Sequence, residues 1–205
     1  MTEITLVLGT KNLSSWSMRP WMLARHLGVP FREELIELDQ PGSAAQLRAA
    51  SPTARVPVLR HGTLVLWESL AICQYLCELA GAGYPATRDA RAVALAVSAE
   101  MHAGFAALRS LWPMNACAVG LRTPMTTALE ADIARVQSLW SHCRREFGEG
   151  GPWLFGSYCI ADAMFAPVVL RFHTYGAALE SEAQQYQETA LADPHLQEWL
   201  LAAAG

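Results

Sequence analysis

The sequence predicts an α/β domain followed by an all-α domain. Three observations predict it. Short apolar runs and helical patterns succeed one another up to about residue 80 in the order β-α-β-α-β-β-α. The stretch Gly81 to Thr87 then turns to Gly, Ala, Pro and Tyr, as a linker does. Beyond it nearly every segment carries helical periodicity.

Ile4 to Leu8 is a short β-branched, apolar run and reads as a strand. Lys11 to Ser15 is a polar turn. Trp16 to Leu27 has helical spacing and stops at Gly28, with Pro20 in its first turn, where a missing N–H costs little. Phe31 to Leu38 alternates as a second strand, and Gly42 to Ala50 reads as a short helix. Ser51-Pro52 marks a turn into a third strand, Val56 to Leu59. His61-Gly62-Thr63 turns into a fourth, Leu64 to Trp67, and Ser69 to Ala80 is a helix. In the second domain, Asp89 to Trp112 reads as one long helix ended by Pro113. Met125 to Phe147 is the next and stops at Gly148 to Pro152. Ile160 to Tyr175 is strongly apolar and reads as buried. Glu180 to Ala190 and His195 to Leu201 complete the set. The domains so read are residues 1–80 and 88–205. The first has little core of its own and is expected to pack on the helices.

Apolar residues make up 52% of the 205-residue chain and charged residues 17%, which excludes a disordered chain. The net charge of -4 gives no basic footprint for nucleic acid or an anionic membrane. Met1 to Ile4 lacks the basic, apolar start of a secretory leader. The apolar region Ala90 to Trp112 is interrupted by Arg91, Glu100, His102 and Arg109, so no membrane span is expected. Five cysteines without a C-x-x-C pair read as reduced thiols in the cytoplasm, not as a disulfide framework or metal site. Cys73 and Cys77 share one helix face as small apolar packing.

Two segments carry most of the chemistry. In Ser51-Pro52-Thr53-Ala54-Arg55-Val56-Pro57-Val58-Leu59, Pro57 stands at a strand start. It is either an ordinary edge proline or, if the Val56-Pro57 bond is cis, a turn that presents the N–H and C=O of Val56 to an extended peptide. In Trp67-Glu68-Ser69-Leu70-Ala71-Ile72, Ser69 is placed to cap a helix whose free N–H groups attract a carboxylate, and Glu68 is placed to hold an ammonium. The plainer reading is a capped helix with its dipole complemented.

The joint pattern, a Val-Pro turn and then E-S-x-A-I opening a helix, resembles the glutathione-binding half of the cytosolic glutathione transferases, and the resemblance extends over the whole chain. It implies a thioredoxin-like N-terminal domain on an all-α C-terminal domain. It implies glutathione as co-substrate, no metal, and a homodimer. Val56 beside cis-Pro57 would pair with the cysteinyl part of glutathione. Glu68 and Ser69 would hold the γ-glutamyl end, and Arg55 would lie near the glycyl carboxylate. The loop Asn12-Leu13-Ser14-Ser15-Trp16-Ser17-Met18-Arg19-Pro20 is similar to the serine-type S-S-C-S-x-R loop of the zeta class, which includes maleylacetoacetate isomerases. Ser14 falls on the catalytic serine, with Ser15 as the second choice. Trp16 replaces the zeta-class cysteine. A hydroxyl donating to sulfur, near the head of a helix, favours the thiolate. Capping is the competing role for Ser14, Ser15 and Ser17.

The resemblance puts a second, electrophile pocket between this loop and the helices. Its candidates are Trp16, Met101, Phe105, Leu108, Trp112, Arg171 and Tyr175; the apolar ones also fit core positions, and Arg171 also fits a structural ion pair. The expected function is conjugation of the glutathione thiolate to a small apolar electrophile. Glutathione-dependent cis-trans isomerisation of the maleylacetoacetate type and a non-catalytic glutathione-binding scaffold are the alternatives. Thiol-disulfide or peroxide reduction prefers a loop cysteine, which Ser14-Ser15-Trp16 does not supply. Cys159 stands where the family's capping box in the second domain has Ser or Thr, and Asp162, three residues on, reads as a structural anchor.

Overall fold

The computed structural model describes residues 3–205; Met1 and Thr2, on which the reading of the N-terminus as lacking a secretory leader and the first residues of the predicted domain 1–80 fall, lie outside them. Strands β1 (Ile4–Gly9), β2 (Arg32–Ile36), β3 (Val58–His61) and β4 (Leu64–Trp67) form one sheet in the order β2-β1-β3-β4. β1 and β2 are parallel and joined through α1 (Ser15–His26). β3 runs antiparallel to β1 and hairpins into β4. Helices α2 (Ser43–Ala50) and α3 (Ser69–Ala80) complete the thioredoxin-like unit. The remainder is helical: α4 (Arg88–Ala103), α5 (Ala106–Leu111), α6 (Thr127–Phe147), α7 (Ile160–Tyr175), α8 (Ser181–Leu191) and α9 (Pro194–Ala204).

Three departures from the sequence reading have physical causes. β3 begins at Val58 rather than Val56, because Pro57 offers no N–H to the ladder and the Val56-Pro57 bond is cis. Pro20 sits in the second turn of α1, since the helix opens at Ser15; its ring leaves the carbonyl of Trp16 without a helical donor. The long helix predicted over 89–112 is two. The chain steps out of helix at Gly104 and Phe105, where Phe105 has φ 60°. A Cβ on Gly104 would lie 2.9 Å from the Glu100 carbonyl oxygen, so the turn needs glycine. Asp132 on α6 then restarts the helix by accepting the Leu108 N–H at 2.9 Å.

The sheet and the helices share a core. Leu6, Leu8, Met18, Trp21 and Leu76 pack with Ile160, Met164, Leu170, Leu196 and Trp199 in one buried cluster. A second cluster, around Trp140, Phe165 and Phe172, fills the helical bundle. α7 is buried on nearly every side and serves both. Its start is held by Asp162. One carboxylate oxygen accepts the Leu154 N–H at 3.0 Å and the other the Cys159 N–H at 2.9 Å, while Ile160 N–H donates to the Gly83 carbonyl of the linker. Cys73, Cys77, Cys143 and Cys159 are buried free thiols and Cys117 is an exposed one.

Candidate functional site

The sheet brings the two sequence segments together. Val56 precedes the cis proline, belongs to no strand, and its N–H and C=O enter no turn, loop or side-chain hydrogen bond among the described residues. The β3–β4 hairpin returns the chain to this turn with Glu68 at its end. Glu68, not Ser69, is the N-cap of α3, and it makes no side-chain cap bond. Its φ of 69° is a left-handed conformation that costs a non-glycine residue about 1 kcal/mol or more. Ser69 is the first helical residue. It is buried, and its Oγ has no hydrogen-bond partner. A strained residue beside an unsatisfied buried hydroxyl at a helix head is the pattern of a ligand site.

A cavity of about 360 Å³ opens here, lined by Arg55, Val56, Pro57, Glu68 and Ser69 on one side. Trp16, His102, Ala103 and Arg109 line the other. An adjoining cavity of about 250 Å³ shares Trp16, Arg55 and Val56 and is walled by Ser14 and Ser15.

None of the loop serines caps α1 through its side chain. Ser14 holds the N-cap position but makes no cap bond, which leaves the head of the helix open. Its Oγ donates to Ser17 Oγ at 2.8 Å, and Ser17 Oγ accepts the Gly9 N–H at 3.0 Å. Ser15 Oγ accepts from Arg171 Nη2 at 3.2 Å and keeps its own proton uncommitted. All three serines are buried.

Trp16 is flanked by two guanidiniums and an imidazole. The Arg19 guanidinium carbon lies 4.1 Å and that of Arg109 5.4 Å from its ring centroid, and His102 meets its edge at 5.3 Å. Arg19 is 1% exposed, with Nε and Nη1 unpartnered. Burial chiefly, and then the charges of Arg171 and Arg109 against an opposing influence of Cys73, bring its pKa down to about 9. His102 Nε2 stands 3.4 Å from Glu68 Oε2. Desolvation and Arg19 lower its pKa although Glu68 opposes them.

The other pocket candidates lie elsewhere. Met101, Phe105 and Leu108 are buried in the helical core. Trp112 and Tyr175 stack at 5.1 Å on the wall of a separate cavity of about 370 Å³ that also touches Leu121 and Met125. Arg171 is buried and acts as a clasp: Nη1 donates to the carbonyls of Arg109 and Trp112. It has no carboxylate partner among the described residues, and burial brings its pKa down to about 10. Arg171→Met is expected to cost about 2 kcal/mol and lower the thermal midpoint by about 5 °C, read by calorimetry, because two buried carbonyls lose their donor. Thr53, His102, Ala103 and Arg109 are cavity residues that the sequence reading did not place there. The helical pattern of 89–112 could have flagged His102 and Arg109 as charges on an otherwise apolar stretch.

No helix among the described residues is long and apolar enough to cross a membrane, and no group of three or more His, Cys, Asp or Glu among them could hold a metal ion. Residues 13–79 match the family described as glutathione S-transferase, N-terminal domain. The search of curated proteins found no match. Among solved structures, the chain is similar to a Burkholderia glutathione transferase homologue with bound glutathione, at 25% identity over 98% of each chain and a TM-score of 0.72. It is also similar to the theta class enzyme of Xanthomonas axonopodis pv. citri with glutathione bound, at 24% identity, 98% of each chain and TM-score 0.72. A Pseudomonas fluorescens family member with two glutathione bound shares 17% identity, 97% of this chain and 92% of that one, TM-score 0.72.

Proposed function

We propose that this chain, whose residues 13–79 match the glutathione S-transferase N-terminal domain, is a member of that family and joins the thiolate of glutathione to a small electrophile. The observation that carries the reading is the convergence, on one cavity, of the uncommitted main chain of Val56 and the unpartnered, buried Oγ of Ser69 at the head of α3. An amide edge and an anion site on one cavity suit a peptide with a free α-carboxylate.

Each residue then has a task. Val56 pairs with the middle of the tripeptide. Glu68 receives the ammonium, while Ser69 and the first amides of α3 receive the carboxylate beside it. Arg55, on the same wall as Val56, takes the far carboxylate. Ser14 donates to the sulfur at the open head of α1. A hydroxyl's hydrogen can rotate: if Ser17 donates to Ser14, a chain forms from Gly9 N–H through Ser17 and Ser14 to the sulfur, and every buried donor is satisfied. Ser15 is the second choice, since its proton is free and Arg171 polarises it. Sulfur supplies the electron pair for the new S–C bond; the leaving group departs with its own pair, or in an addition a proton ends on the neighbouring carbon. Residues 1–80 hold glutathione in this scheme and residues 88–205 complete the electrophile pocket, in a homodimeric protein of the cytoplasm.

Calorimetry with glutathione tests the reading. Binding in the millimolar range or tighter is expected, and Glu68→Ala weakens it about tenfold by removing the ammonium's partner. No heat at millimolar glutathione leaves only a scaffold. Isomerisation of the maleylacetoacetate type is the second reading, supported by the S-S-x-S-x-R form of the loop. Cis-trans conversion without net glutathione consumption identifies it.

A further inference from the structure

The tasks above leave Arg109 unassigned. It lines the 360 Å³ cavity, yet no carboxylate of the described residues lies within ion-pair distance of it. One of its amino groups donates to the His102 carbonyl at 3.1 Å, and its own carbonyl accepts from Arg171. The guanidinium is therefore held in place while most of its N–H groups stay free. It does not stand alone. Arg19 lies against the same tryptophan with two nitrogens unpartnered, and Arg171 donates to Ser15 Oγ and to the Arg109 carbonyl. The one carboxylate lining this cavity, Glu68, is already shared with His102 and is needed by the ammonium of glutathione. Gathering three guanidiniums without a counter-ion is costly, and their mutual repulsion contributes to the lowered pKa values of Arg19 and Arg171. The side chains expected to make an apolar wall, Met101, Phe105 and Leu108, are turned into the core instead.

We propose that the electrophile taken by this site carries a carboxylate, which Arg109 holds beside Trp16. The inference rests on the glutathione reading above and narrows it: a negatively charged acceptor replaces the apolar one expected from sequence. Arg109 sets specificity, and Arg19 and Arg171 supply the field and the support behind it.

Two glutathione conjugates differing in one group test it without requiring turnover: S-(4-carboxy-2-nitrophenyl)glutathione and its carboxamide counterpart, titrated by calorimetry. The carboxylate conjugate is expected to bind about tenfold more tightly than the carboxamide. Arg109→Gln brings the ratio close to one, and Arg109→Lys, which keeps the charge, retains a ratio of about three or more. Equal affinities in the unsubstituted protein, or a preference that survives Arg109→Gln, overturn the inference. If glutathione binds and no preference is seen, only this inference is lost. If glutathione and both conjugates fail to bind, the glutathione site itself is refuted and the inference with it.

Discussion

Ser14→Ala is expected to raise the thiol pKa of bound glutathione by about one to two units and to lower kcat/KM near pH 6.5 by about 10- to 100-fold. The thiol begins near pH 8.5, so at neutral pH the reactive form is scarce unless something favours the anion. Two features at this site do. The head of α1 is left open by a serine that makes no cap bond, and the hydroxyl of that serine is fixed by Ser17 and Gly9. Each unit of pKa corresponds to about 1.4 kcal/mol, the scale of one hydrogen bond to a charged group. The measurement is the ultraviolet absorbance of the thiolate across pH in the binary complex. Ser17→Ala should move it in the same direction by less, because the hydroxyl of Ser14 stays but loses its anchor. If Ser15→Ala gives the larger shift, the donor is Ser15; an unchanged pKa in both removes the loop serines from the role.

Asp162→Ala is expected to destabilise the fold by about 3 kcal/mol, a fall of about 6–12 °C in thermal midpoint. The carboxylate is 1% exposed and holds two main-chain N–H groups that have no water to turn to. Its pKa is pushed up to about 6 from 3.8, burial outweighing the hydrogen bonds that lower it. The sign of the pH effect follows. Between about pH 4 and pH 6 the folded state keeps a proton that the unfolded state has lost, so stability falls as pH rises through that window. Asp162→Asn does not titrate. The advantage of the native residue over asparagine should therefore be greatest near pH 4 and shrink by about 2–3 kcal/mol by pH 7, measured by urea denaturation at both.

Much of the architecture could be read from punctuation. Gly28, Gly81, Gly148 and Gly176 each stand at or just beyond a helix end, and three of them adopt the left-handed conformation that favours glycine there. The strand hairpin was legible because His61-Gly62-Thr63 separates two short apolar runs. The break in the long helix was not, because a lone glycine inside a helical pattern is tolerated and nothing local says that Phe105 will turn left-handed. The candidate site divides in the same way. Val56, Pro57, Glu68 and Ser69 are contiguous with elements that the pattern fixes, so their meeting follows from topology. Which face of α4 and α5 looks into the cavity depends on the break, so Met101, Phe105 and Leu108 were offered for a wall that His102 and Arg109 form. Pro20, too, belongs to the second turn: it is the sixth residue of a helix that opens at Ser15, and the fifth even from the expected start at Trp16.

The step between α4 and α5 has an outcome of its own. In an unbroken helix Arg109 would stand about 10 Å along the axis from His102, too far for its side chain to curl back with ease. The step lets the guanidinium rest on the main chain of His102. Gly104, a position with no functional group and no place in the cavity lining, thus decides where a positive charge comes to stand, and lengthening the step by one residue would swing that charge through about a quarter turn.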